Sequence, residues 1–187
     1  MKLIIIEGTD NVGKDTVINK LYNEFKNCKI IHCEKPPKLN SKESSIYQFN
    51  YFNKLNKYTI DNYKNYDCII HNRSWYGEYV YGCMYRDNDQ EFVKSMINKL
   101  EIELINNIDN IYYITLLSND IKFLSKNEDG LSLSSGKESL ILEETERFKE
   151  IFKHSIIINK HIIYVNNKDK FRDKDEIFNE ILTIINT

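Results

Sequence analysis

The chain has 187 residues, enough for one well-buried domain, and its 26 Lys and Arg residues nearly balance its 28 Asp and Glu residues, for a formal net charge of −2. This balance excludes the global basic field of a nucleic-acid-binding protein. No apolar run approaches the length of a membrane span, and the apolar N-terminal stretch is too short for a signal peptide. The four cysteines form no C-x-x-C pair, which favours reduced thiols. We therefore expect a cytoplasmic protein with neither nucleic acid nor membrane as a partner.

Hydrophobic periodicity predicts strands that alternate with helices along the chain. Strands are predicted at residues 2–7, 29–33, 67–71, 111–117 and 161–165. Helices are predicted at residues 13–25, from residue 41 onward, and at 89–106, 120–125, 138–152 and 173–185. This alternation predicts a single α/β domain over residues 1–187, with a mostly parallel sheet covered by helices on both faces.

Several predicted helices carry apolar residues at helical spacing, and we expect these residues to face the core. The second helix places Ile46, Phe49, Phe52 and Leu55 on one face, the helix at 89–106 aligns Phe92, Met96, Leu100 and Leu104, and the last helix aligns Ile177, Ile181 and Ile184.

The turn between the first strand and the first helix has the G-x-x-x-x-G-K pattern of a phosphate-binding loop, from Gly8 to Lys14. Glycines at both ends allow a tight turn whose backbone N–H groups converge on one anion. The following helix adds the positive end of its dipole, and Lys14 adds a positive charge for the β- and γ-phosphates. Asp15 stands where this motif usually has Ser or Thr, and Thr16 follows it.

Ligands bind beyond the carboxyl ends of the strands in sheets of this kind. Four residues follow directly after predicted strands, so we expect them to surround one crevice. They are Gly8, Lys35, Arg73 and Ser118.

The phosphate loop alone fits several enzyme classes. A small GTPase needs an Asn-Lys-x-Asp signature, and residues 166–169 have the wrong spacing, while a helicase or transporter ATPase needs a longer chain. A kinase for a small acceptor must hold ATP, align the acceptor oxygen and close a cationic lid. The non-periodic loop at about 125–138 is predicted to be a mobile lid, so a kinase fits best.

The segment from Glu7 to Thr16 resembles the E-G-x-D-x-x-G-K-[ST]-T opening of thymidylate kinases, and Asn72-Arg73-Ser74 lies where that family has an Asp-Arg-Tyr motif. The likeness is closest to compact viral members, follows the element order over most of the chain and is specific only near these motifs. The resemblance implies a three-layer P-loop fold with five parallel strands in the order 2-3-1-4-5. It also implies transfer of the γ-phosphoryl of ATP, with Mg²⁺, to dTMP or a related nucleoside monophosphate.

The resemblance further implies roles for individual residues. ATP would bind to Gly8, Thr9, Asp10, Asn11, Val12, Gly13, Lys14, Asp15 and Thr16. Lys14 would follow the γ-phosphoryl, Arg73 would bind the acceptor phosphate, and Asp10 would orient the acceptor. Further substrate-binding residues would be Lys35, Phe49, Glu78 and Tyr81. Core packing of Phe49, a solvated Lys35 and a turn-capping Glu78 are the alternatives.

Three departures from the family pattern concern the metal, the lid and the base. Asp15 replaces a hydroxyl and Asn72 replaces an aspartate, and we interpret the two changes as linked: Asp15 supplies the carboxylate for Mg²⁺ that position 72 lacks. The lid offers Lys126 and Lys137, with Arg147 behind it, instead of arginines, and we expect Lys126 to act in catalysis. The base-pairing arginine of the family is absent from the second helix, where Asn53 lies near its place.

Two alternative functions remain open at the level of sequence. A deoxynucleoside kinase would use Glu7 as the base for a 5′-hydroxyl, and Arg73-Ser74 match its motif, but Asn72 does not. A nucleotide-sensing protein without catalysis would explain the two substitutions near Mg²⁺. A homodimer, common among the relatives, is compatible with the apolar helix faces.

Overall fold

A computed structural model describes residues 1–34, 36, 37 and 41–187, without the side chain of Ser41. Five parallel strands form one sheet in the order β2-β3-β1-β4-β5, which confirms the predicted order. The strands are β1 (Lys2–Gly8), β2 (Cys28–His32), β3 (Cys68–Asn72), β4 (Ile111–Leu117) and β5 (Asn159–Tyr164). Each predicted strand is present within two residues of its predicted bounds.

Helices connect the strands and cover both faces of the sheet, as predicted. They are α1 (Lys14–Glu24), α2 (Ser41–Asn62), α3 (Cys83–Tyr85), α4 (Gln90–Ile105), α5 (Ile121–Lys126), α6 (Glu138–His154) and α7 (Lys174–Asn186). None of the helices within the described ranges combines the length and apolar character that a bilayer crossing requires.

Alternate residues of β1 face opposite cores, because successive strand side chains point to opposite faces. Leu3 and Ile5 contact the core under α2 and α4, and Ile4 and Ile6 contact the core under α1 and α7. The central strand is therefore buried on both faces, which explains its continuous apolar sequence.

Two predicted helix faces are partly wrong. Ile46 on α2 is 47% exposed and Phe92 on α4 is 40% exposed. On α4 the buried stripe begins one residue later, at Val93, and continues through Met96, Ile97, Leu100 and Leu104. On α2, the buried positions include polar residues that an apolar pattern does not reveal: Ser44, Ser45, Gln48, Asn56 and Thr59.

Among the elements that were not predicted, two lie beside the candidate site. A five-residue π-helix, Glu78–Gly82, lies within the aromatic segment after β3. A small antiparallel hairpin, β6 (Asn166–Asn167) and β7 (Lys170–Phe171), follows β5. Both elements contribute residues to the cavities at the carboxyl edge of the sheet.

Candidate active site

The phosphate loop joins the end of β1 to the start of α1, and its glycines are required by the backbone. Gly8 has φ +142°, and a Cβ there would lie 2.0 Å from the carbonyl oxygen of Leu116 in β4. Gly13 has φ +79°, in the left-handed region that favours glycine. The Nζ of Lys14 donates to the carbonyl oxygens of Gly8 at 3.0 Å and Thr9 at 2.5 Å. Burial lowers the pKa of Lys14 to about 8, with the charge of Arg73 as a second cause.

Arg73 follows β3 in a left-handed conformation, with φ +68°. Its backbone N–H donates to Ile6 at 3.0 Å, which fixes the turn against β1. Nη2 donates to Oδ1 of Asp10 at 2.5 Å, and the guanidinium lies 5.6 Å from the ring centre of Tyr81. Burial opposes the charge, but Tyr81 and Asp10 raise the pKa of Arg73 above its usual range. Arg73 is therefore a cation held beside the phosphate loop.

Glu7, the residue before Gly8, connects the phosphate loop to the Arg73 turn. Its side chain is fully buried. Oε1 accepts hydrogen bonds from the backbone N–H of Ser74 at 2.6 Å, the hydroxyl of Ser74 at 2.7 Å and the N–H of Gly77 at 3.3 Å. Burial raises the pKa of Glu7, while the Ser74 hydrogen bond and the charge of Arg73 lower it. These three hydrogen bonds all come from the segment that carries Arg73, while Oε2 has no partner among the described residues.

Three sizeable cavities adjoin this region in the part of the chain that the structure describes. The phosphate-loop cavity, of about 720 Å³, is lined by loop residues, by Arg73 and by the α5–α6 connection. The side cavity, of about 270 Å³, lies between α2 and the π-helix and includes Gln48, Phe52 and Arg86 in its wall. The hairpin cavity, of about 260 Å³, lies between α1 and β7. The phosphate-loop and side cavities share Asp10, Cys33 and Arg73, so these residues stand at their junction.

Most predicted site residues come together here, and others lie elsewhere. Glu78 and Tyr81 line the side cavity, as Arg73 does. Phe49 does not line any of the three cavities; it turns toward α4 and packs edge-on against Phe92 at 6.4 Å. Phe52, one turn further along α2, lines the side cavity instead. The predicted position Lys35 lies outside the described residues. Ser118 bonds to Asn166 at 2.9 Å and belongs to none of these cavities.

Within the predicted lid, about 125–138, residues 127–137 form a loop with internal hydrogen bonds between the end of α5 and the start of α6. Glu128 accepts from Ser132 N and Oγ, at 3.2 and 2.6 Å, and from Gly130 N at 3.0 Å. The loop lines the phosphate-loop cavity through Asn127, Asp129, Leu131 and Ser132. Its mobility stays a prediction.

The cations expected from the lid do not line the cavities. Lys126 and Lys137 are exposed, and Arg147 pairs with Glu143 at 3.0 Å. The expected catalytic role of Lys126 therefore has no support from its position, because α5 ends with this side chain in solvent. The Lys and Arg side chains that line the phosphate-loop cavity are Lys14 and Arg73.

The two departures from the sequence motif are in direct contact. Nδ2 of Asn72 lies 2.8 Å from Oδ1 of Asp15 and 3.0 Å from Nδ1 of His32. Asp15 is exposed at the first turn of α1 and lines the phosphate-loop cavity. Mg²⁺ usually takes one or two carboxylates and completes its shell with phosphates and water. The Asp15 carboxylate, oriented by Asn72, fits such an ion bound together with a nucleotide.

The sequence model of the polyphosphate kinase 2 (PPK2) family matches residues 1–120, which include the phosphate loop, the Arg73 turn and four of the five sheet strands. The chain belongs to the polyphosphate kinase 2 family. The matched part of this PPK2 protein is about two thirds of its length and ends after β4, so the lid and the hairpin lie outside it. A search of curated protein sequences found no match.

Solved structures share the fold of this PPK2 protein. The YorR protein of Bacillus subtilis, solved with phosphorylated GDP, superposes with a TM-score of 0.73 at 21% identity, over 99% of this chain and 96% of that one. Thymidylate kinase from Candida albicans superposes with a TM-score of 0.71 at 19% sequence identity, over 99% of this chain and 91% of that one. Polyphosphate kinase 2 from Arthrobacter aurescens superposes with a TM-score of 0.64 at 12% sequence identity, over 98% of this chain and 67% of that one. At these identities the likeness establishes the P-loop kinase fold, as the motif resemblance to thymidylate kinases predicts.

Proposed function

We propose that this PPK2 protein is a nucleoside monophosphate kinase, which transfers the γ-phosphoryl of ATP to dTMP or a related nucleoside monophosphate. The observation that carries the proposal is the junction of the phosphate-loop and side cavities at Asp10 and Arg73. A donor phosphate in the loop and an acceptor in the side cavity would both lie beside the Arg73 guanidinium, so their phosphates would approach at this junction.

The donor would be held by the phosphate loop and Lys14. Backbone N–H groups and the N-terminal end of α1 favour anions there, and the ammonium of Lys14 would exchange its carbonyl contacts for phosphate oxygens. Mg²⁺ bound with the donor would neutralise developing charge, with Asp15 as its protein ligand. Arg73 would hold the acceptor phosphate, and preorganised cations of this kind lower the barrier by positioning and charge stabilisation. In the reaction an acceptor phosphate oxygen bonds to the γ-phosphorus, and the bond to the β-phosphate oxygen breaks, releasing ADP.

The hairpin cavity supports a nucleotide as the donor. It shares Asn11, Gly13, Thr16 and Phe171 with the phosphate-loop cavity. Its apolar wall includes Val12 and Ile177, and the ring of Phe171 is held edge-on by Phe123 at 4.6 Å. An apolar recess of this kind beside a phosphate site suits a nucleobase, whereas inorganic polyphosphate has no part that would occupy it.

Polyphosphate as the donor is the second candidate, and the family match favours it. Phe171→Ala tests the choice, because loss of a base-contacting ring raises the KM for ATP but leaves polyphosphate use unchanged. Phe92→Ala is a matched control, since Phe92 is similarly exposed and lines none of the three cavities. An unchanged KM for ATP in Phe171→Ala would argue against the hairpin cavity as the base site.

A monophosphate fits the acceptor site better than a nucleoside. A nucleoside kinase needs a carboxylate that reaches the 5′-hydroxyl, but Glu7 is fully buried and its Oε1 is bonded to Ser74 and Gly77. Its Oε2 is also buried and has no partner among the described residues. The guanidinium at the junction, in contrast, suits a dianionic acceptor.

The test is a coupled assay of ADP release with each deoxynucleoside monophosphate, each deoxynucleoside and no acceptor. ATP and polyphosphate serve in turn as donor, with product identification by chromatography in the polyphosphate arm. We expect turnover with ATP and at least one monophosphate. Turnover with nucleosides alone would establish the nucleoside kinase, and ATP binding without any acceptor-dependent product would establish the sensor.

A further inference from the structure

Gln48 is a buried polar residue that the proposed chemistry does not use. It lies on α2, is 2% exposed and lines the side cavity. Among the described residues no donor lies within hydrogen-bonding distance of its Oε1. Most buried side-chain oxygens in proteins have a partner, and an unpaired one destabilises the fold. A carbonyl oxygen in this position therefore suits a ligand that supplies an N–H or O–H.

Arg86 supplies a complementary donor in the same cavity. Its Nη2 donates to Oε2 of Glu78 at 2.7 Å, while its buried Nε has no partner among the described residues. Glu78 is held in turn by Asn88, whose Nδ2 donates to Oε1 at 2.5 Å. The backbone leaves space for this arrangement only because residue 82 is glycine: a Cβ there would lie 2.4 Å from Oε1 of Glu78. The orientation of Arg86 is therefore built into the π-helix.

An aromatic ring completes the wall. Phe52 is 4% exposed and packs edge-on against Tyr51 at 5.2 Å and Trp75 at 6.1 Å, so its position is fixed. It lies one helical turn from Gln48, on the same face of α2. The side cavity thus combines an aromatic surface with an unpaired acceptor on Gln48, an unpaired donor on Arg86 and the hydroxyl of Tyr81, which also has no partner among the described residues. This combination matches a nucleobase, which has a flat face and an edge of alternating donors and acceptors.

We propose that Gln48 and Arg86 are the specificity-determining residues for the acceptor. Oε1 of Gln48 accepts an N–H from the edge of a base that lies along Phe52, and Nε of Arg86 donates to a carbonyl oxygen or ring nitrogen of the same base. This inference rests on the proposed function, since it places the base of the monophosphate in the side cavity. Neither residue lines the phosphate-loop cavity, so both act on binding and selection, and the sugar phosphate is left to Arg73.

The test compares the preferred deoxynucleoside monophosphate with deoxyribose 5-phosphate, which has the same phosphate and sugar but no base. In Gln48→Leu, kcat/KM for the nucleotide is expected to fall about 10- to 100-fold through KM, because a base N–H is left unpaired. The kcat/KM of Gln48→Leu for deoxyribose 5-phosphate is expected to equal that of the wild type. Gln48→Glu, which keeps the shape but only accepts, is expected to shift preference toward bases with an exocyclic amino group. Arg86→Lys tests the contact from Nε of Arg86 through the same quantity, the ratio of kcat/KM for the nucleotide to kcat/KM for deoxyribose 5-phosphate.

Asn50→Ala, an exposed position on the same helix, is the control, and an unchanged Kd for ATP shows that each variant is folded. A nucleotide-to-sugar-phosphate ratio that stays at the wild-type value in Gln48→Leu overturns the inference and leaves the proposed kinase intact. If the wild-type protein turns over no monophosphate, equilibrium binding of the four deoxynucleoside monophosphates decides: binding weakened by Gln48→Leu supports the base site, and binding that is absent or equal overturns it.

Discussion

Arg73→Lys tests the junction of the two cavities, because it keeps the positive charge and removes the guanidinium fork. Among the described residues, Nη2 of Arg73 donates to Asp10. The guanidinium carries further N–H donors, which can bind two phosphate oxygens. A lysine offers one ammonium and cannot form the bidentate contact. Loss of one charge-assisted hydrogen bond corresponds to about 1.5–3 kcal/mol, or about a 10- to 150-fold fall in kcat/KM.

The same substitution has little effect on stability. The Arg73 side chain is 37% exposed, so solvent screens its pair with Asp10, and we expect the free energy of unfolding to fall by about 1 kcal/mol or less. Urea unfolding and steady-state kinetics therefore separate the two effects.

Arg147→Lys is the matched control, since Arg147 pairs with Glu143 and lines none of the three cavities. An Arg73→Lys enzyme with kcat/KM within about threefold of wild type would refute the assignment of Arg73 to the acceptor phosphate.

Three further predictions concern the loop, the metal and a buried histidine. Gly8→Ala should lower the free energy of unfolding by about 3 kcal/mol or more, because its Cβ meets the Leu116 carbonyl oxygen, whereas Gly130→Ala, with open space around it, should lose only about 1 kcal/mol; urea unfolding compares them. Asp15→Ala should sharply reduce Mg²⁺-dependent turnover and the Mg²⁺-dependent gain in ATP affinity measured by calorimetry; near-normal values for both would exclude Asp15 as the ligand. Burial lowers the pKa of His71 to about 4, so the unfolded state takes up a proton first as the pH falls below 6.5. Stability should therefore decrease by about 2 kcal/mol between pH 7 and pH 5, and His71→Gln should lack this part of the pH dependence.

The parts of the site that are contiguous in sequence were predictable. The glycine spacing from Gly8 to Lys14 predicts the backbone conformation of the loop. Arg73 directly follows a strand, and ligands of parallel sheets bind at that end of the strands. The sheet order came from a resemblance carried by the same two segments, and the structure confirms it.

The side cavity was less predictable, because its residues come from elements whose hydrophobic residues follow no simple helix or strand period. Gln48 is buried although it is polar, and Phe49 and Phe52 have equal apolar character, so only the packing of α2 on α4 shows which ring faces the cavity. Arg86 is oriented by a π-helix that no hydrophobic pattern indicates. The link from Glu7 to Ser74 spans 67 positions. Its signal in the sequence is an acid at the end of an apolar strand, and that signal is equally compatible with the base of a nucleoside kinase.

The hydrogen bonds between Glu7 and Ser74 fix the spacing between the two proposed substrate sites. Glu7 directly precedes Gly8, the first glycine of the phosphate loop. Its carboxylate accepts two hydrogen bonds from Ser74, the residue that directly follows Arg73. In the proposed reaction, this one buried side chain therefore sets the distance between the donor and acceptor sites, independently of the lid. On this proposal, residues of the lid and the side cavity can differ between nucleotide specificities without changing the distance over which the phosphoryl group is transferred.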